Sequence, residues 1–148
     1  MSNRLFVYGS LLSAFSNQES IRLKGENIYL GPAYIKGFLF EIDGYPGAIP
    51  DPAAGYKITG ELYWISDLEK TFNWLDRYEE ADLQYNPNPE YQRILVSVYY
   101  RERIIRGWMY QFLNSTQGFR EITSGNYLDY LAGSKQNTIR EYPMPNNQ

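Results

Sequence analysis

The chain opens on Leu5-Phe6-Val7-Tyr8, a short continuous apolar run stopped by Gly9-Ser10, which predicts a buried central strand running into a turn. Residues 10–17 read as a polar loop. From Ile28 to Ile42 the chain is rich in β-type residues but is interrupted by Gly31-Pro32 and Gly37, so two short strands with a bend between them are expected. The Pro/Gly-rich stretch Gly44 to Gly55 predicts irregular structure, and strand character returns from Thr59 to Ile65. Ser66-Asp67-Leu68-Glu69 has the form of a capping box, in which a Ser at the N-cap and a Glu three residues on satisfy each other's free backbone amides, and a helix over 67–79 follows. Asn86-Pro87-Asn88-Pro89 forces a loop. Beyond it Tyr91 to Tyr100 and Ile104 to Leu113, joined by Arg101-Glu102-Arg103, predict a hairpin that sets Trp108, Tyr110 and Phe112 on one face. A last helix should include Tyr127 to Leu131. The order of elements argues for one α+β domain over residues 1–133 with a mainly antiparallel, barrel-like sheet flanked by helices, followed by a polar, weakly ordered tail over 134–148.

One position breaks the pattern. At 100° per residue Leu68, Phe72 and Leu75 form the apolar stripe of the 67–79 helix, and the position that continues it is Glu79. Asp76 and Glu80 fall instead with Glu69 and Asn73 on a polar face, where solvated charge is expected. A carboxylate inside the apolar arc should be partly withdrawn from water, which disfavours its charged form and raises its pKa towards that of a general base working near neutrality. Two structural alternatives stand beside this: the helix has ended by residue 79 and the side chain escapes to solvent, or Arg93 or a Tyr hydroxyl satisfies it. The second candidate is the turn Tyr8-Gly9-Ser10-Leu11, where backbone amides at a strand end can converge on an anion, although a strand ending in Gly-Ser is equally an ordinary turn.

The chain of 148 residues contains neither Cys nor His, which removes thiolate nucleophiles, Ser-His-Asp triads, disulfides and nearly all zinc sites. No metal or cofactor is expected. A net charge of -3 with scattered Lys and Arg gives no footprint for nucleic acid or an anionic membrane, and no apolar run approaches the ~20 residues of a membrane helix. Ser2-Asn3-Arg4 lacks the basic start and apolar core of a signal peptide, so a cytoplasmic location is the expectation. The ligand is then a small molecule or another protein. Fifteen Tyr and three Trp are expected to fill a β-rich core; a stacking platform for a sugar or nucleobase is the alternative.

Taken in order, Phe6-Val7-Tyr8-Gly9-Ser10-Leu11, Tyr45-Pro46-Gly47, Gly60-Glu61-Leu62-Tyr63, the "LDxxE" element Leu75-Asp76-Arg77-Tyr78-Glu79 and Tyr91-Gln92-Arg93 resemble the motifs of the gamma-glutamylcyclotransferase-like family over roughly residues 4–113. The resemblance implies a small β-barrel packed with helices and a cavity where the Tyr-Gly-Ser-Leu loop faces a catalytic Glu. By position it makes Glu79 the acid/base, Tyr8, Gly9, Ser10 and Leu11 the substrate-holding loop, and Tyr91 a cavity-lining residue. It also implies a gamma-glutamyl substrate, whose α-amine attacks its own side-chain amide to close 5-oxoproline and release an amine, without a cofactor. The chain departs from the family in carrying Glu80 where a small residue usually follows the Glu, in a longer segment from Glu79 to Tyr91, and in Leu12-Ser13-Ala14 where a basic residue often follows the loop. Two rival expectations remain at this point. One is a non-catalytic binding protein on the same scaffold, and the other a two-carboxylate glycoside hydrolase pairing Glu79 with Glu61 or Asp76.

Overall fold

The computed structural model describes residues 2–84 and 86–137, with side chains through residue 133. Five strands close a barrel. β1 (Arg4–Val7) runs antiparallel to β4 (Lys57–Trp64) on one side and parallel to β6 (Arg103–Phe112) on the other. β6 forms a hairpin with β5 (Tyr91–Tyr100), and β2 (Ile28–Ile42) joins β4 to β5 and completes the ring. Apolar residues alternate to both faces of β1. Leu5 and Val7 pack with Leu23, Phe72 and Leu75, whereas Phe6 and Tyr8 pack with Ile58, Leu62, Met109 and Tyr127. A strand buried on both faces is what a continuous apolar run produces.

The segment from Ile28 to Ile42 is one strand, not two. Its first half pairs with β4 across a bulge between Tyr29 and Gly31, and from Gly37 onward it pairs with β3 (Tyr45–Pro50) outside the barrel. Gly37 marks the crossing, because a Cβ there would stand 2.4 Å from the Ile49 carbonyl oxygen. The stretch expected to be irregular therefore begins with an edge strand. Asp43 and Gly44, both at positive φ, make the tight turn of a β2–β3 hairpin, and Pro46 and Pro50 are tolerated because β3 has an unpaired edge. The hairpin between β5 and β6 likewise turns on two residues at positive φ, Arg101 and Glu102. A two-residue strand β7 (Arg120–Glu121) adds to β2.

The described residues form three helices, α1 (Gln18–Glu26), α2 (Leu68–Tyr78) and α3 (Tyr127–Asn137). The sequence pattern does not reveal α1, because it buries only Ser20 and Leu23 and so has almost no apolar stripe. The cap of α2 sits one residue later than expected. Asp67 is the N-cap and accepts from the Lys70 amide at 3.1 Å, while the Ser66 amide is drawn away to Asn27 Oδ1. Residues 138–148 of the expected tail lie outside the described residues.

Barrel closure depends on a narrow seam. Tyr34 is paired with Tyr99 between β2 and β5, and their rings stack at 4.8 Å and 6°, with Lys57 over the Tyr34 face and Lys36 over the Tyr99 face. Replacing Tyr99 with Ala removes the stack and one cation–π contact, so a stability loss of about 1–2 kcal/mol is expected. Urea unfolding should show a lower midpoint at unchanged slope; an unchanged midpoint would mean the seam is held elsewhere.

Candidate active site

Glu79 is the first residue beyond α2, so the helix does end where one structural alternative required, yet the side chain does not escape into bulk solvent. The reason lies in the turn. The Glu79 amide donates to Leu75 O at 2.9 Å, the Glu80 amide to Arg77 O at 3.1 Å and the Ala81 amide to Asp76 O at 2.8 Å, with Glu80 in the left-handed region at φ 55°. These are the paired bonds of a Schellman turn, which normally places Gly at the position Glu80 holds. The chain reverses at once, leaving Glu79 8% exposed and Glu80 in solvent. No described residue hydrogen-bonds or ion-pairs with the Glu79 carboxylate. Burial, then the Asp76 carboxylate, then that of Glu80 push its pKa from 4.5 up to about 8.

Opposite it lies the loop that follows β1. The segment expected to be a polar loop is a loop whose start folds inward, with Ser10, Leu11 and Leu12 all buried. The Leu12 amide closes a turn on Gly9 O at 3.0 Å. Asn17, the N-cap of α1, donates from Nδ2 to Ser10 O at 2.8 Å, and the Ser20 hydroxyl donates to Leu12 O at 3.0 Å, so α1 holds the loop from behind. Ser10 Oγ and the Tyr78 hydroxyl are 2.7 Å apart, tying the loop to the last residue of α2. The amides of Gly9, Ser10 and Leu11 make no hydrogen bond to any described residue.

Loop and carboxylate share one small hollow of about 20 Å³, lined by residues 6–11, Pro46, Glu79 and Tyr110. The Tyr8 hydroxyl donates to Tyr110 O at 2.7 Å, and burial followed by the Glu79 charge raises its pKa. Tyr91 stands one layer behind the wall and donates to Pro46 O at 2.8 Å. Phe6, Val7, Pro46 and Tyr110 are lining residues that sequence reasoning did not assign to the site. The alternation Trp108-Tyr110-Phe112 carried a signal for Tyr110, but only the barrel brings β3 and β6 to the same end.

Asp76 is not the solvated charge its place on the helix suggested. Arg93 reaches it with Nε at 2.9 Å and Nη2 at 3.2 Å, and the Tyr110 hydroxyl donates to the same carboxylate at 2.5 Å. The guanidinium lies 3.9 Å from the Phe72 ring centroid and 4.7 Å from that of Trp108. Partners arriving from β5 and β6 therefore withdraw Asp76 partly from water, an arrangement that helix periodicity cannot show. Glu61 is engaged too, accepting from the Ser13 amide at 2.7 Å and its hydroxyl at 2.8 Å. With Glu79 the one carboxylate on the wall of the hollow, the paired-carboxylate hydrolase expectation is overturned.

A closed five-stranded barrel in which a buried carboxylate and the loop after β1 line one hollow has the architecture of a cyclotransferase-like protein. Comparison with known proteins agrees: the profile of the family "Gamma-glutamyl cyclotransferase, AIG2-like" matches residues 5–129, and the chain belongs to that family. It is 29% identical over 127 residues to the gamma-glutamylcyclotransferase family protein YtfP of Escherichia coli K12, covering 85% of this chain and 96% of YtfP. The solution structure of E. coli YtfP superposes with a TM-score of 0.60 over 86% of this chain and 97% of its own. YkqA from Bacillus subtilis superposes with a TM-score of 0.69 at 25% identity over 93% of this chain, which spans only 44% of that longer protein. Among the described residues no helix is long and apolar enough to cross a membrane.

Proposed function

We propose that this protein closes gamma-glutamyl amides to 5-oxoproline and releases an amine, with Glu79 as the single acid/base. The observation that carries the reading is a buried carboxylate lining one hollow with a loop whose three amides, like the carboxylate, have no hydrogen-bond partner among the described residues. An α-amine has a pKa of about 8, so it is free of its extra proton in the same pH range in which a carboxyl pushed up to about 8 is ionised. The neutral α-nitrogen bonds to the side-chain carbonyl carbon, whose oxygen takes up charge, and the Glu79 carboxylate takes the proton that this nitrogen sheds on becoming an amide. Glu79 hands its proton to the departing nitrogen, whose bond to carbon breaks as the carbonyl re-forms. Nucleophile and electrophile belong to one molecule, so the protein's work is to hold the folded-back conformer. In this reading Tyr8, Gly9, Ser10 and Leu11 hold the substrate, their amides gripping the α-carboxylate or the developing oxyanion, and Tyr91 fixes Pro46 against it. Family membership supports the class of reaction.

The test is release of 5-oxoproline from a panel of gamma-glutamyl amides and gamma-glutamyl amino acids across pH. Glu79 and the α-amine must both be deprotonated, so kcat/KM should rise as pH rises through about 8. In Asp76→Asn, loss of the neighbouring charge should move the midpoint of that rise down by roughly 0.5–1 pH unit, with burial keeping it above the ordinary Glu range. Binding without product across the panel would point to a binding protein instead. An unmoved midpoint in Asp76→Asn would show that another group titrates.

A further inference from the structure

On the outer face of the barrel, β2, β4, β5 and β6 set side chains in rows, because residues two apart on a strand share a face and paired residues stand opposite each other. One row is Thr59, Tyr34, Tyr99 and Ile104, each paired with the next across neighbouring strands. Two residues along each strand comes a row of Lys57, Lys36, Ser97 and Arg106, in which Lys36 is directly opposite Lys57 and Ser97 opposite Arg106. On the other side of the tyrosines the chain turns at Arg101, which with Arg103, Pro32, Ala33 and the two tyrosines lines a groove of about 650 Å³. An aromatic and apolar row is thus flanked by cations on both sides. From Arg101 to the row of Ser97 is four residues of strand, about 13 Å.

These cations are dispersed in the sequence from residue 36 to residue 106, and only barrel closure gathers them. Lys36, Lys57, Arg101, Arg103 and Arg106 form no ion pair among the described residues. Lys36 and Lys57 are like charges directly opposite, an arrangement that costs stability, and their ammonium groups rest over the rings of Tyr99 and Tyr34. Arg106 reaches only uncharged oxygens, Ser97 Oγ at 3.4 Å and Leu95 O at 3.3 Å. Of the carboxylates nearby, Glu61 is held by Ser13, and Glu102 is exposed at the tip of the turn. That turn places Arg101 and Glu102 at φ 47° and 63°, where Asn and Gly are the inexpensive choices, so charged side chains are presented there against the backbone preference.

We propose that this face docks an extended acidic segment of a partner protein, one that carries two carboxylates four residues apart with an apolar side chain midway. The spacing follows from the rows: in an extended chain side chains at i and i+4 are about 13 Å apart on one face, so one carboxylate meets Arg101 and Arg103 while the other meets Lys36, Lys57 and Arg106. The residue between them lies on Tyr34, Tyr99 and Ile104. An acidic partner relieves the repulsion between the two lysines, which nothing in the described chain offsets. Single-stranded nucleic acid fits the same charges but lacks a platform, because the faces of Tyr34 and Tyr99 are covered by each other and by the lysines. Their hydroxyls make no hydrogen bond to a described residue, and a hydroxyl donor with a positive ring edge suits a carboxylate. The surface lies outside the hollow of Glu79, and the inference is independent of the cyclotransferase reading.

The experiment titrates a capped peptide containing Glu-Thr-Leu-Thr-Glu into the full-length protein by calorimetry at low salt. It is compared with a permuted peptide containing Glu-Glu-Thr-Thr-Leu, with one carrying Lys for both Glu, and with oligothymidylate. The first peptide should bind saturably, the permuted one roughly threefold or more weakly, and the Lys peptide without measurable heat, and added salt should weaken the binding that occurs. Lys57→Gln and Arg101→Gln, one on each side of the tyrosines, should each reduce affinity by roughly two- to tenfold with the circular dichroism of the folded protein unchanged. If Lys57→Gln disturbs the Tyr34–Tyr99 seam and fails to fold, Arg101→Gln carries the test alone. No binding of the first peptide, equal affinity for the permuted one, affinity indifferent to salt or to the substitutions, or tighter binding of oligothymidylate would overturn the proposal.

Discussion

Glu79→Gln should lower kcat/KM for 5-oxoproline release by about 10²–10⁴-fold while making the protein more stable at alkaline pH. The kinetic half follows because the amide is nearly isosteric but cannot take a proton from one nitrogen and return it to another. The stability half follows from linkage. The folded pKa of about 8 lies above the 4.5 of an ordinary Glu, so the folded state favours the protonated form. Wild-type stability is therefore undiminished below about pH 4.5, falls as pH rises through the window from 4.5 to about 8, and is level above it. Gln carries no such dependence, so the variant should exceed wild type by a few kcal/mol at pH 9, with melting temperatures converging near pH 4–5. Thermal melts of both proteins across this range check the claim. Wild-type turnover in the variant would remove Glu79 from the chemistry, and parallel melting curves would show that its carboxylate is not held in a low-dielectric site.

Gly60→Ala should damage fold and site together. A Cβ at Gly60 would lie 2.1 Å from the Val7 carbonyl oxygen and 2.7 Å from Cζ of Phe6, so β1 and β4 cannot keep their spacing. Val7 is the last residue of β1, and the loop that lines the hollow with Glu79 begins at the next residue. Relief of the clash has to displace that loop. We expect a loss of about 2–4 kcal/mol, read as a melting temperature lowered by roughly 5–15 °C, and a further drop in kcat/KM of about tenfold or more at temperatures where the variant is folded. Gly55→Ala is the control, since nothing lies within 4 Å of a Cβ there. A Gly60→Ala protein with normal kinetics would mean that the loop is positioned independently of β1, for instance by α1 alone.

Much of the architecture is legible along the chain, and its gaps have physical causes. β1 is visible because a strand buried on both faces must be apolar at every position. The β5–β6 hairpin is visible from two β-rich runs joined by a short charged link. β3 is hidden because its prolines and glycines are suited to an edge strand, which can forgo ladder hydrogen bonds, and the same residues signal loop elsewhere. α1 is hidden because a helix that buries two residues needs no amphipathic stripe.

Sequence by itself determined that the protein works without thiol or imidazole, that its strands precede and follow a central helix, and that Glu79 continues the apolar face of that helix. Period and composition are properties of consecutive residues, so they survive without a fold. Only the tertiary structure decided which carboxylates are engaged and which is left alone. Arg93 and Tyr110 claim Asp76, and Ser13 claims Glu61, across 17, 34 and 48 residues of chain, while Glu79 is left without a hydrogen-bond or ion-pair partner among the described residues. Pairing and desolvation depend on what the barrel brings together from distant strands, and no local pattern encodes that.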